Sequence, residues 1–185
     1  MSGVLTGTGQ PLRRGRRRTA AWIAGYLLLS VIVGGLAGVA WWRLVHLPAY
    51  RVSSDGGAAT TERGLTEFFA SDAWFTALGL VVGVGLGIVA WRWFARLGWP
   101  LVLLAALGAL LAGFACWYLG YRLGPGPFEP RLAAAQPGQY VPIELTVRAK
   151  ASFVVWPFAA TLPILLRSSL GPDDEDPRPF RRPRR

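Results

Sequence analysis

The side chains in this sequence that can do chemistry are few and are not grouped. The chain has one histidine, His46, one cysteine, Cys116, and ten acidic residues. A metal site needs several His, Cys, Asp or Glu ligands at suitable spacing, and the sequence shows no such cluster. It also has no phosphate-binding loop, no nucleophile elbow and no paired carboxylates within an apolar run. We therefore expect no metal, no cofactor and no enzymatic activity.

Three acids outside the apolar runs remain as candidates for chemistry: Asp55, Asp72 and Glu144. An enzyme acting at a membrane surface would use one of them as a general acid or base, and this class ranks third among our hypotheses. Asp72 directly precedes an apolar run, so we predict that it is the N-cap of a helix. Together with Trp74, the three acids form a candidate extracytoplasmic surface.

Four apolar runs must position these residues. They cover residues 20–45, 73–94, 99–121 and 151–170. Each is about 20 residues or longer, which at about 1.5 Å per residue matches a hydrocarbon core roughly 30 Å thick. The chain has 185 residues, of which 52% are hydrophobic and nine are Trp, a composition typical of a helical membrane protein. We predict an all-α integral membrane protein with four transmembrane helices.

Basic residues lie beside these runs. The net charge is +10, and arginines concentrate in the tails 1–19 and 171–185 and in the turn holding Arg92 and Arg96. This distribution favours membrane topology over nucleic-acid binding, so we predict that both termini are cytoplasmic. Both tails are predicted to be disordered, and their arginines to contact anionic lipids of the bilayer.

Small residues recur at intervals of four within the runs, which places them on one helix face. Such faces let helices approach closely where lipid supplies no hydrophobic driving force. We expect the small faces of the second and third runs to pack together within the chain, and a homo-oligomer using the same faces stays open. The predicted helix-packing residues are Gly34, Gly38, Gly79, Gly83, Gly87, Ala105, Ala109 and Gly113.

Two predicted extracytoplasmic loops, 46–72 and 122–150, contain strand signals. Tyr50–Ser53 is a short candidate strand, and apolar and other residues alternate along Val141–Arg148. Pro142 lacks an N–H, so its strand should lie at a sheet edge. We predict that the two segments pair and form a small cap.

Two features favour a second class of function. The fourth run contains Pro157 and Pro163, which should kink its helix. The segments Val31–Trp41 and Val81–Trp91 share six of eleven aligned residues and would cross the bilayer in opposite directions. Broken helices and inverted repeats occur in transporters. A small transporter or channel subunit is therefore the alternative.

Three short motifs over Ala20–Leu170 carry a family resemblance. They are Asp55-Gly56 after the first run, Asp72-Ala73-Trp74-Phe75 at the start of the second, and Val155-Trp156-Pro157 in the fourth. In their order the chain resembles a family of small multi-pass actinobacterial membrane proteins classified as a domain of unknown function. The resemblance implies a plasma-membrane location and supplies no catalytic residues.

From these observations we expect a non-enzymatic accessory or assembly partner of other envelope proteins. Its partners would be the lipid bilayer and a membrane protein or a second copy of the chain, with no nucleic acid. The small-residue helix faces and the cap would be its binding surfaces.

Overall fold

The protein is mostly helical, with a small antiparallel sheet at one end. The computed structural model describes residues 11–52, 58–59 and 62–170, and side chains from residue 17 except at 58–59 and 62–68. Four helices are long and apolar enough to cross a membrane, which confirms the predicted number of spans. They are α1 (Pro11–Leu44), α2 (Glu62–Phe94), α3 (Pro100–Leu123) and α5 (Ser152–Ser169); α4 (Phe128–Ala133) is short.

The first helix begins earlier than predicted. We expected residues 1–19 to be disordered, and this is wrong for 11–19, because α1 starts at Pro11. Proline suits the first helical turn, and the arginines that follow are good helix formers. Gly15 is the one poor helix former among them. The prediction for residues 1–10 and for the tail 171–185 lies outside the described residues.

The second helix also begins earlier. It starts at Glu62, so Asp72 lies inside α2 and is not its N-cap. The segment between these two residues contains one glycine and no proline, so nothing interrupts the helix before the apolar run begins. The carboxylate of Asp72 has other backbone partners, described below.

A tight turn joins α2 to α3 and defines what we call the turn end of the bundle. A single 3-10 turn covers Ala95–Leu97, Gly98 follows at φ 70°, and Pro100 starts α3. The left-handed backbone at that position favours glycine, and proline suits the first turn of a helix. At the same end, Trp22 of α1 and Trp93 of α2 pack edge to face, with their ring centroids 5.5 Å apart.

Glycines on α1 bring it against α3. A Cβ added to Gly34 would collide with the carbonyl oxygen of Ala112, and one added to Gly38 would lie 2.6 Å from that of Cys116. The backbones are thus close enough that no side chain fits between them. Both helices run from the turn end to the cap, so this tightly packed pair is parallel.

The glycines of α2 face α5. A Cβ on Gly83 would lie 2.6 Å from the carbonyl oxygen of Trp156, and one on Gly87 would meet Ala160 and lie 2.7 Å from a ring carbon of Pro163. The expectation that this face packs on α3 is therefore wrong. The glycines leave space beside α2 that the small residues of α3 would not fill. Trp156 and the ring of Pro163, both on α5, fill it.

The small residues of α3 are buried, but they serve more than one neighbour. Ala105 and Ala109 are fully buried in the core. A Cβ added to Gly113 would lie 3.2 Å from the indole of Trp156. A run of aromatic rings crosses the same core from α1 to α5, with centroid distances of 5.3 Å between Trp41 and Phe75 and again between Phe75 and Trp156. Rings therefore fill the volume between the helices near the cap.

The sheet forms what we call the cap, at the end of the bundle opposite the turn end. Strand β1 (Ala49–Val52) lies between β2 (Ala58–Ala59) and β3 (Tyr140–Pro142), and both pairings are antiparallel. Tyr50 lies opposite Val141, which confirms that the two loops pair. The strand ends at Pro142 at the sheet edge, sooner than the predicted Val141–Arg148.

Alternation continues beyond the end of β3 without strand pairing. Val141, Ile143 and Leu145 are buried, and the residues between them are half-buried. The Ile143 N–H donates to the Pro48 carbonyl at 3.0 Å. The apolar side of this segment therefore rests on the helix ends while its other side faces outward.

Candidate functional site

Two hydrogen bonds in series tie the cap to the helix ends. The indole Nε1 of Trp41 donates to the Ser71 carbonyl at 2.9 Å, and the Ser71 hydroxyl donates to the Thr146 carbonyl at 3.0 Å. Trp41 is fully buried and Ser71 nearly so. Buried polar groups are stabilising only when they are paired, and here each one has a partner. The end of α1, the beginning of the α2 span and the segment after β3 are thereby joined.

Asp72 extends this junction by one residue. Its Oδ1 accepts the Arg148 backbone N–H at 3.0 Å, and its Oδ2 accepts that of Ala149 at 2.9 Å. A carboxylate that accepts two backbone N–H groups is a strong structural anchor. Asp72 thus fixes the chain just before α5, and both of its oxygens are engaged. The sequence identified this residue but assigned it to the wrong backbone groups.

Arg131 holds the other half of the cap, and nothing in the sequence singled it out. Its guanidinium donates to three backbone carbonyls, those of Pro142 at 2.8 Å, Gly126 at 3.0 Å and Pro127 at 3.1 Å. The fork geometry of arginine suits several acceptors at once. The side chain therefore connects α4, the Gly-Pro segment before it and the edge strand β3.

A cavity of about 410 Å³ opens between these fixed segments. It combines carboxylates, a guanidinium, aromatic and aliphatic surface, and prolines that keep their backbone rigid. The lining residues are Pro127, Phe128, Glu129, Pro130, Ile143, Glu144 and Arg148. Rigid apolar walls with a few charged groups are typical of sites that bind a ligand or a peptide segment.

The charged groups of the cavity favour binding over covalent chemistry. Glu129 and Glu144 can accept hydrogen bonds from cationic or amide groups, and the guanidinium of Arg148 adds a positive charge to the lining. Among the side chains that the structure describes, no three of His, Cys, Asp or Glu lie close enough together to hold a metal ion. Cys116 is fully buried between α1 and α3, so its thiol does not reach the cavity.

The four residues of the predicted extracytoplasmic surface are not all together. Glu144 lines the cavity, and Asp72 holds the backbone of Arg148, whose side chain lines it too. Trp74 lies on the outer surface of α2, 41% exposed, away from the residues that line the cavity. Asp55 lies outside the described residues.

Polar groups inside the bundle are few. The Tyr26 hydroxyl donates to the Leu86 carbonyl at 3.3 Å, and the Ser30 hydroxyl donates to the Tyr26 carbonyl at 2.9 Å. The buried Nε1 of Trp156 has no hydrogen-bond partner in the part of the chain that the structure describes. Its indole packs against Gly79 and Gly113, so the space around it is filled.

No family model, no curated protein and no solved structure matches this chain. The resemblance to an actinobacterial membrane family therefore stays a prediction from three short motifs. The case for a function rests on the geometry of the cap and of the helix bundle.

Proposed function

We propose that this chain is a non-enzymatic accessory or assembly partner of other envelope proteins, held in the plasma membrane by its four helices. The observation that carries the proposal is the cap cavity, lined by Glu129, Glu144 and Arg148 between apolar walls. A partner segment with both apolar and charged side chains would find complementary groups there.

The rigidity of the cap supports a binding role. Asp72 and Arg131 bond only to backbone groups of other segments, which keeps the cavity walls in place before a partner arrives. A surface that is already ordered loses less conformational entropy on binding. The closed interior of the bundle supports the same role, because Gly79 and Gly113 pack on the Trp156 ring.

The orientation that suits this function places the cap outside the cytoplasm and both termini inside. Arg92, Arg96 and Arg167 lie at the turn end, and the sequence has further arginines in the first turns of α1 and after α5. An excess of arginine marks the cytoplasmic side of a membrane protein. The test is labelling of single introduced cysteines at Gln136 in the cap and at Ala95 in the turn, both exposed, in the Cys116→Ser background. Labelling of Gln136→Cys alone in intact cells is expected.

The partner can be tested by site-specific photo-crosslinking in native membranes. A photoreactive residue replaces Phe128, which lines the cavity, or Trp99, which is 76% exposed at the turn end. We expect one reproducible hetero-partner to crosslink from Phe128 and not from Trp99. Glu144→Lys should abolish that crosslink while leaving the thermal unfolding of the protein unchanged, because Glu144 is only half-buried.

Two results would contradict the accessory role. A partner-free monomer, stable in mild detergent and without crosslinks from the cap in native membranes, leaves the cavity with nothing to bind. Crosslinks only between copies of this chain would shift the weight to the alternative below.

The alternative is a small transporter or channel subunit, and Trp156 favours it. Its Nε1 has no hydrogen-bond partner among the described residues and lies in the bundle core, on a helix that contains Pro157 and Pro163. A buried donor without a partner, together with interrupted helix hydrogen bonding, is a feature of sites where polar solutes pass. Flux of small ions and neutral solutes into liposomes containing the purified protein tests this class, with Trp156→Phe as the variant expected to alter that flux.

A further inference from the structure

A second cavity lies between α2 and α5 near the turn end. Its volume is about 350 Å³, and each helix contributes one arginine and two apolar residues. Its lining residues are Ile88, Trp91, Arg92, Pro163, Leu166 and Arg167. This cavity is separate from the cap, so it is independent of the function proposed above.

The cavity begins where the close packing of the two helices ends. At Gly87 the helices are so close that an added Cβ would collide with the Ala160 carbonyl, and the ring of Pro163 would be 2.7 Å away. One turn nearer the turn end, α2 carries Trp91 and α5 carries Leu166. The large side chains cannot interlock as the glycines do, so an apolar groove opens toward the outer surface of the bundle.

Both arginines of this groove are exposed. Among the residues that the structure describes, neither Arg92 nor Arg167 has a hydrogen bond or an ion pair. Arginine at the end of a membrane span lies at the level of the lipid headgroups. A guanidinium binds phosphate oxygens in pairs, and two of them at one cavity make a site for a singly or doubly charged phosphate ester.

The rest of the groove is apolar and open to lipid. Ile88 is 47% exposed and Leu166 is 61% exposed, and Pro163 lies beside them. A free phosphate ion would use the arginines and leave this surface uncovered. A molecule with an anionic head and a hydrocarbon chain complements both parts at once.

We propose that this groove binds one anionic phospholipid. Its phosphate lies against the guanidiniums of Arg92 and Arg167, and the first part of an acyl chain covers Ile88, Pro163 and Leu166. The lipid would thereby connect α2 and α5 on the side where the glycine contacts have ended.

Native mass spectrometry of the full chain released from nanodiscs tests the proposal. Nanodiscs of phosphatidylcholine with a minority of phosphatidylglycerol should leave one phosphatidylglycerol molecule on the protein. The double variant Arg92→Gln/Arg167→Gln should lower its apparent affinity by at least about tenfold, because each arginine near a membrane surface contributes to the attraction of anionic lipid.

A matched control removes the same charge from the opposite end of the bundle. Arg43 stacks on Trp42, and Arg122 stacks on Tyr118, near the cap. The variant Arg43→Gln/Arg122→Gln should retain the bound lipid. Equal loss in both double variants would overturn the site, because it would indicate a general effect of net charge.

A second variant guards against misfolding of the first. Leu166→Trp fills the apolar part of the groove and keeps both arginines, so lipid retention should fall although the charge is unchanged. If retention persists in Leu166→Trp, the acyl chain does not lie in the groove and the proposal fails.

Two competing occupants are separated by further arms of the experiment. Added inorganic phosphate should not displace the lipid, and displacement would show a phosphate site instead. The acidic stretch Asp173–Asp176 follows α5 within a few residues. If a chain ending at Leu170 retains phosphatidylglycerol and the full chain does not, the groove belongs to this acidic stretch and the lipid is not its occupant.

Discussion

The indole nitrogen of Trp41 donates to the Ser71 carbonyl at 2.9 Å, whereas that of Trp156, on the other side of Phe75 in the same aromatic run, donates to nothing that the structure describes. Two fully buried tryptophans of one core thus differ in whether their polar atom is satisfied. This difference makes them a matched pair for mutation.

We predict that Trp41→Phe destabilises the protein more than Trp156→Phe does. Both changes remove the same volume, but only the first removes a hydrogen bond, which is worth about 1 kcal/mol net. The unfolding free energy of Trp41→Phe should be lower by about that amount. Thermal unfolding in mild detergent, followed by circular dichroism, measures it. Equal losses would show that the Trp156 nitrogen has a partner after all, such as a bound water.

Asp72→Asn should loosen the segment before α5. The amide keeps one acceptor oxygen, but its NH₂ group faces the backbone N–H of either Arg148 or Ala149. One of the two hydrogen bonds is therefore lost. Both bonds lie in an exposed part of the cap, where water can pair with the released N–H, so the loss should be about 1 kcal/mol, the net contribution of one hydrogen bond. Hydrogen exchange of the peptide covering 143–151 should accelerate.

The control for this change is Glu129→Gln, an exposed carboxylate in the same cap. Its exchange pattern should match that of the native protein. If Asp72→Asn also leaves exchange unchanged, the two backbone bonds do not hold the cap in solution.

Gly87→Ala should push α2 away from α5. The added methyl collides with Ala160 and Pro163, and overpacking of this kind costs about 1 to 3 kcal/mol. Gly85→Ala is its control, since a Cβ there meets nothing within 4 Å. That variant should be at least as stable as the native protein, and more stable by up to about 1 kcal/mol, because alanine is the better helix former. Unfolding in a detergent titration compares them, and a larger loss for Gly85→Ala would place an unseen partner on the outer face of α2.

Arg131→Lys should open the cap without unfolding the helices. A lysine ammonium cannot reach the three carbonyls that the guanidinium binds, so α4 and β3 lose their connection. Limited proteolysis should then cut within 124–140 sooner, while helical circular dichroism is unchanged. Arg51→Lys, on the exposed side of β1, is the control and should resist cleavage as the native protein does. Unaltered resistance of Arg131→Lys would contradict the proposed role.

Local patterns in the sequence predicted the elements well. The length of the apolar runs indicated four spans, and period-two alternation located the loop that pairs with β1, although only Tyr140–Pro142 pairs and not the predicted Val141–Arg148. Such features depend on residues close together in the chain, where helix geometry and strand geometry set the spacing. The start of α2 was misjudged because a polar stretch before a span continues a helix as readily as it caps one.

Partners of the helices were not predictable in the same way. The spacing of four showed which face of α2 carries only small residues. It did not show that Gly83 on this face contacts Trp156 of α5 instead of the small residues of α3. The internal similarity aligns Gly34 and Gly38 with Val84 and Ile88, so the two glycines that bring α1 against α3 have no glycine counterparts in α2. The cavity residues Glu129 and Arg148 carry no motif, since they meet only through the fold of the cap.

The bonds of Asp72 join residues that are 76 and 77 positions apart. A ribosome makes Asp72 long before it makes Ala149, so the carboxylate must wait at the membrane surface while α3, α4 and β3 are synthesised. Contacts between distant residues form late because the loop between them must close first. The bonds that join the start of the α2 span to the segment before α5 therefore cannot form until translation has passed Ala149, whereas the pairing of β1 with β3 needs only residues made earlier.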